Sequence, residues 1–416
     1  MALLFLCLIF GTGRTQKIEA AVQNVPESLE EESRLDTVGT DQETERAAVR
    51  EKKGQQEKEA GDTETDQAAA AQDELLAELD FDAIQQEVDS LLSSQQFSFA
   101  GTVRSLLQDG DPFRIFRAGN AVLSCAKTAF LAQKGLMKEL FLLVLAGAVL
   151  GSFSSLFEGK QVRDASFYMV YLLALALILK NFQSSGENLK AVITSLVAFM
   201  RILTPSYYLA AAGGASSAVM FYQMLLLVIL AVEKLLLALV LPMIHIYLLI
   251  ALVNDLSGEE ILSHMTELLE TCVNGLLKSS LGVLVGMQMI RNLIAPALDS
   301  LRQMALWRTA GMIPGIGNAV NAVTELVAGS AVLIRNCFGV TAMLVLLAAG
   351  MVPAVQLLVS GLSFRLLAAA AQPVSDKRIA GCLAAAGKGY AMLLRLLLTV
   401  EVLFLLTIAI LAGTFS

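Results

Sequence analysis

Residues 337–372 read CFGVTAMLVLLAAGMVPAVQLLVSGLSFRLLAAAAQ, 36 positions in which Arg365 is the only charge. A helix crosses the hydrocarbon core of a bilayer with about 20 apolar residues. The stretch is long for one crossing and short for two. Gly350-Met351-Val352-Pro353 lies inside it and predicts a broken helix or a tight helical hairpin. Such breaks survive in lipid only where protein or a water-filled cavity takes up the freed backbone groups.

Further apolar runs lie outward from it, near 139–157, 165–182, 190–211 and 215–232. After Glu233-Lys234 another continues to about 253, and the last two are near 278–297 and 390–412. By length they predict ~7–8 crossings and an all-α polytopic membrane protein. The stretch 254–277 differs. Leu256, Ile261, Leu262, Met265, Leu268, Leu269 and Cys272 form an apolar stripe, with Asp255, Glu259, Glu260, Glu267 and Glu270 opposite. It predicts an amphipathic acidic connector rather than a span. The connectors holding Lys160 and Arg163, and Lys377 and Arg378, favour the cytoplasm, while the acidic one favours the outside. Simple alternation does not easily satisfy all three.

Composition agrees with a membrane domain. Of 416 residues 56% are hydrophobic and 16% charged, and mean hydropathy is +0.64. An ordinary soluble domain has roughly 45–50% apolar and about 25% charged residues, so a conventional soluble enzyme is disfavoured. The charge is uneven. Residues 17–90 hold 22 Asp and Glu against 7 Lys and Arg, a local charge of −15, whereas the whole chain carries −8.

Residues 1–21 open with the short apolar run ALLFLCLIF and reach small residues at Ala20 and Ala21, the pattern of a secretory signal peptide without its leading cation. Residues 22–72 are acidic and poor in large apolar side chains, and are expected to be disordered. Residues 73–138 are expected to hold extramembrane or interfacial helices, with a capping box from Asp82 and Gln85. Asp111-Pro112 opens a further helix whose face carries Phe113, Phe116, Val122, Ala126 and Phe130. Lys127, Lys134 and Lys138 accompany that face, which suits either a membrane surface or packing on the body of the protein. Residues 139–412 form the transmembrane helical domain.

Reactive chemistry is sparse. The five cysteines, Cys7, Cys125, Cys272, Cys337 and Cys382, form no C-x-x-C pair and read as packing residues. Only His245 and His264 could supply imidazole, and there is no H-E-x-x-H, G-x-S-x-G or P-loop motif. No catalytic residue, metal site or cofactor is expected. Ionisable groups at membrane depth are costly and usually face protein or water. Here they are Arg201, Arg291, Glu401 and Arg395. Glu401 paired with Arg291 or Arg201 would lock the bundle, or these groups would line a solute or ion path. His245, beside Pro242, reads as a core histidine.

The segment from Gly311 to Val340, GMIPGIGNAVNAVTELVAGSAVLIRNCFGV, predicts a partly buried or re-entrant helix. Asn318 or Asn321 would cap it, and Arg335-Asn336 would end it. Its residues Ile313-Pro314-x-x-Gly317, Thr324-Glu325-x-Val327 and Val332-Leu333-Ile334-Arg335-Asn336-x-x-Gly339 resemble the signature region of the stage III sporulation protein AE family. The tract Ala368-Ala369-Ala370-Ala371-Gln372-Pro373 also fits that family, and the likeness covers roughly 75–412. The chain departs from it in SLRQMALWRTA before Gly311, and at Val374-Ser375-Asp376-Lys377, where a Gly-rich run is expected.

The resemblance implies a multi-pass protein of endospore-forming bacteria, in the mother-cell-derived membrane around the forespore. It implies a subunit of a transenvelope, channel- or secretion-like complex needed for endospore formation. Partners would be other stage III operon proteins, including an ATPase subunit, and a forespore-side channel protein. Pro314, Gly317, Arg335 and Asn336 join Arg201, Arg291 and Glu401 as the candidate structural residues. The alternative is an independent secondary transporter whose intramembrane Arg and Glu groups bind a solute. It predicts inverted repeats, and none is visible. An intramembrane enzyme would need a catalytic dyad, and none is visible either.

Overall fold

The computed structural model describes residues 81–92, 97–109, 119–154, 160–211, 216–257, 262–310, 317–373 and 375–413. Side chains at 204–223 and 291–332 are outside the described set. The expected signal peptide, the acidic segment 22–72 and Asp111-Pro112 fall outside it as well.

Every regular element among the described residues is helical. Two short helices, α1 (Phe81–Leu91) and α2 (Phe99–Asp109), precede α3 (Gly119–Ser154) and α4 (Lys160–Ala211). Then come α5 (Ser216–Leu235), a π-helical turn (Leu236–Val240) and α6 (Leu241–Ser257). The chain finishes with α7 (Ser263–Ala310), α8 (Gly317–Ala371) and α9 (Lys377–Gly413).

Five helical stretches among the described residues are long and apolar enough to cross a membrane: Phe167–Leu203, Leu226–Ser257, Ser263–Ile290, Leu333–Ala371 and Lys377–Ile410. The expected ~7–8 crossings counted several runs separately that the chain joins. The runs at 165–182 and 190–211 are one helix, α4, of 52 residues. The polar stretch between them stays helical because Ile178, Phe182, Leu189 and Ile193 keep a buried stripe through it. Ser185 Oγ also donates to the Asn181 carbonyl at 3.0 Å. Packing of one face decides the matter, as it does for most protein helices.

Glu233-Lys234 does not interrupt the next span either. The chain continues through the π-helical turn, where the Leu241 N–H donates to the Leu236 carbonyl, five residues back. Pro242 has no N–H to give and crowds the preceding turn; a π-turn at that point absorbs the disturbance. The acidic stretch after Asn254 is likewise no separate connector. It turns at Leu262, whose N–H donates to Asn254 Oδ1 at 2.8 Å, and from Ser263 it is the start of the 48-residue α7. Of its expected apolar stripe, Met265, Leu268 and Cys272 are exposed, and burial shifts to Val273, Leu277 and Leu284.

The break expected at Gly350–Pro353 does not occur: α8 runs unbroken for 55 residues with Pro353 inside. Its most extensive partner is α9, and it also packs on α3, α4 and α2. α8 and α9 form an antiparallel hairpin. Ser375 N–H donates back to the Ala371 carbonyl at 2.8 Å. Asp376 caps α9 by accepting from the Arg378 N–H at 3.1 Å. Within the hairpin Gly361 and Gly387 face each other. A β-carbon on Gly387 would stand 3.2 Å from the Gly361 carbonyl oxygen, so the two backbones approach as only small residues allow.

α1 and α2 dock on this core. Phe99 of α2 meets Phe338 of α8 edge-on at 5.0 Å, and Phe81 flanks both rings. Gln85 does not form the expected capping box, because the helix already starts at Phe81. Instead its amide ties the two helices. Nε2 donates to the Phe97 carbonyl at 2.7 Å and Oε1 accepts from the Phe99 N–H at 2.8 Å.

Three connectors with opposite charge preferences share one end of the bundle. Tyr171, near the start of α4, donates to the Leu252 carbonyl near the end of α6 at 2.6 Å. Arg378, at the start of α9, reaches the Leu256 carbonyl at 3.4 Å and lies over the Phe167 ring at 5.4 Å. Asp255 and Arg378 both act on Tyr171. The conflict in the charge count arises from weighting acidic residues, which contribute little to orientation.

Candidate functional site

The polar groups of the bundle sit on the helices that pack against α9. Glu401, in its second half, is 7% exposed. Its carboxylate lies against Gly350 of α8, where a β-carbon would stand 2.5 Å from Cδ. Gly350 is the residue that makes room for the carboxyl group.

The expected partners of Glu401 are placed elsewhere or lie outside the described side chains. Arg201 is exposed on α4, and the carboxylate on which it acts is Glu233, which is buried. Among the described residues none forms an ion pair with Glu401. The Arg291 side chain is not among those described. Arg395 is exposed and donates to Asn274 Oδ1 of α7 at 3.1 Å. One turn or two before it, Lys388 pairs with Glu270 at 2.5 Å and lies 5.9 Å over the Tyr247 ring. α7 and α9 are thus joined along a polar seam.

A second cluster was not legible in the individual motifs. Tyr390 of α9 is fully buried. Its hydroxyl accepts from Asn181 Nδ2 at 2.6 Å and lies 3.2 Å from Ser185 Oγ. The ring stacks on Phe364 at 5.3 Å and meets Phe182 edge-on at 5.2 Å. Phe182 in turn meets His245 at 5.2 Å. His245 Nδ1 lies 2.8 Å from the Leu241 carbonyl, one turn back on its own helix. This is a core histidine bound to its own backbone. Four helices, α4, α6, α8 and α9, therefore meet at one aromatic centre. A signal for it existed: Asn181 and Ser185 lie three and seven residues after Ile178, on the face that Phe182 and Leu189 bury.

The signature segment is placed only in part. Pro314 lies outside the described residues, and Gly317 is the first residue of α8. Asn318 and Asn321 therefore lie inside the helix and do not precede it. Arg335-Asn336 does not end it, since α8 continues to Ala371. Arg335 is 3% exposed and Asn336 is exposed, so the pair straddles the edge of the buried face. Ile334 and Phe338 flank Arg335 within the core.

Among the described residues, no three His, Cys, Asp or Glu side chains gather into a metal-binding group. Cys382 is buried, Cys337 half-buried and Cys272 exposed, and all three are free thiols.

The arrangement is that of a packed membrane-type bundle with polar ties between helices. The chain matches the family described as Stage III sporulation protein AE (spore_III_AE) over residues 97–414. It belongs to that family. It is also 22% identical over 291 residues to Stage III sporulation protein AE of Bacillus subtilis (strain 168), covering 69% of this chain and 73% of that protein. No solved structure matches. The family match takes in α2 through α9, so the α8–α9 hairpin, the Tyr390 centre and the Glu401–Gly350 contact all lie within it. A role in sporulation follows, for a chain with five candidate membrane-spanning helices.

Proposed function

We propose that this chain is a non-enzymatic membrane subunit of the transenvelope, channel- or secretion-like complex between mother cell and forespore. Its working place is the mother-cell-derived membrane around the forespore. Its partners are the other stage III operon proteins, including an ATPase subunit, and a forespore-side channel protein. The supporting observation is the family match across almost the whole helical bundle. The chemistry of the bundle is consistent with it, since the polar groups described tie helix to helix: Asn181 to Tyr390, Glu270 to Lys388, Asn274 to Arg395.

In this reading the acidic head, released from its signal peptide, lies outside the mother-cell cytoplasm, and the helical body holds the assembly in the bilayer. Deletion in a sporulating host tests it. The expected result is arrest of forespore development after engulfment, with the operon's other products no longer recovered together by cross-linking. Normal spores from the deletion strain would overturn the proposal. Arrest with the assembly intact, relieved by an added solute, would favour the transporter alternative.

A further inference from the structure

We infer that the outward face of α3 is a docking surface for anionic phospholipid headgroups. Lys127, Lys134 and Lys138 are all exposed there. Between them Phe130 is 54% and Leu131 55% exposed. From Pro112 to Lys138 the sequence holds Arg114, Arg117 and these three lysines and no acidic residue; with the exposed Glu139 that follows Lys138 counted in, the segment is still strongly cationic.

The same face continues as an apolar one. Phe141, Leu145 and Val149 are exposed on α3. At about 100° per residue they and the Lys127–Lys138 group fall within an arc of roughly 120°. Ala129, Leu140 and Val144 are buried on the opposite side. Tyr168, Met169 and Leu172 of α4 extend the exposed apolar band. α3 is not among the five stretches with the length and composition to cross, but acyl chains are the natural cover for such a band beside the exposed start of the α4 span, and one turn further out the cover must meet lysines with aromatic and leucine side chains among them. That succession is what a bilayer presents: acyl chain, glycerol level, charged headgroup. The acidic stretch of this chain or a protein partner would match the lysines but not the band that follows them. Lys127 lies about 21 Å from Phe141 along the helix axis, so α3 enters the bilayer obliquely, with this face turned down onto it.

The test uses the full-length chain with its cysteines replaced and a fluorophore on Leu131→Cys. It is reconstituted in phosphatidylcholine vesicles with or without phosphatidylglycerol, with a headgroup-nitroxide lipid as quencher. A second label, on Leu145→Cys, reads insertion through an acyl-chain nitroxide. The expected result is stronger quenching at 131 when phosphatidylglycerol is present. Replacing Lys127, Lys134 and Lys138 with Gln abolishes the gain, and with Arg retains it. Co-purified phosphatidylglycerol falls about fivefold for each lysine lost, the worth of one cation near an anionic surface. With Leu145 quenched, two results overturn the inference. One is quenching at 131 that ignores lipid charge. The other is a 131 label shielded from aqueous iodide yet unquenched by lipid, which means that protein covers the face.

Discussion

The carboxylate of Glu401 on α9 lies against Gly350 on α8, at the interface of the two helices that form the closing hairpin. A β-carbon at 350 would stand 2.5 Å from Glu401 Cδ and from Oε1. Gly350→Ala therefore forces the Glu401 carboxyl end out of its place, and because Glu401 is buried and has little room to turn, the off-rotamer adjustment costs about 1–3 kcal/mol. The expected outcome is a lower melting temperature in detergent and lower abundance in cells. Glu401→Gln keeps the shape and removes the charge. No described cation neutralises that charge, so abundance should hold or rise. A loss from Glu401→Gln as large as that from Gly350→Ala would show that the carboxylate is paired after all.

Tyr390→Phe probes the four-helix centre. The ring contacts with Phe364 and Phe182 survive, and only the hydroxyl shared by Asn181 and Ser185 is lost. Leaving a buried amide donor without its acceptor costs about 1–3 kcal/mol. Asn181→Ala alone should cost a similar amount, and the double variant less than the sum, because both changes remove one interaction. Thermal melts of the three variants in one detergent measure the coupling. Full additivity would mean that the two groups act separately.

How far these features could be read in advance depends on the scale of the pattern. The helical membrane class was plain in the 36 residues from Cys337, because so long an apolar run with a single charge suits a bilayer. Helix continuity was not plain. Lys180 to Lys190 looks like a loop by composition, and Pro353 like a break, yet both lie within helices held by side-chain packing that local composition does not encode. Which charge meets which is not encoded locally either. Glu401 and Arg201 are natural partners as charges, but in the fold Arg201 acts electrostatically on Glu233, and the Arg291 side chain lies outside those described. Tyr390 was missed because its meaning lies in Asn181, more than two hundred positions away. Gln85 was expected to cap its own helix and instead joins the next one.

The docking of α1 and α2 rests on few residues, which makes it separable from the rest. Phe99 is fully buried against Phe338, and Gln85 supplies the main polar tie. Removing a buried phenylalanine side chain costs about 3–5 kcal/mol, a large share of what helices of 11 residues each can gain by docking. Phe99→Ala should therefore release them while the α8–α9 hairpin stays folded. Limited proteolysis would then cut between residues 81 and 109 much faster than in the parent chain, with the fragment beyond α3 resistant as before. Uniform loss of resistance along the chain would instead make the two helices part of the cooperative core.

The shared end of the bundle gives a topological prediction. Arg378 bonds the Leu256 carbonyl, so Ser257 and Ser375, beside these two residues, must emerge on the same side of the membrane. Ser300 lies on α7, about 55 Å beyond Ser263 by helical rise, which exceeds the ~30 Å hydrocarbon core. In a chain without its native cysteines, Ser257→Cys and Ser375→Cys should react with an impermeant maleimide from one side and Ser300→Cys from the other. Labelling of 257 and 375 from opposite sides would contradict the antiparallel order of α6, α8 and α9. Labelling of all three from one side would mean that α7 does not cross, although its segment Ser263–Ile290 has the length and composition to do so.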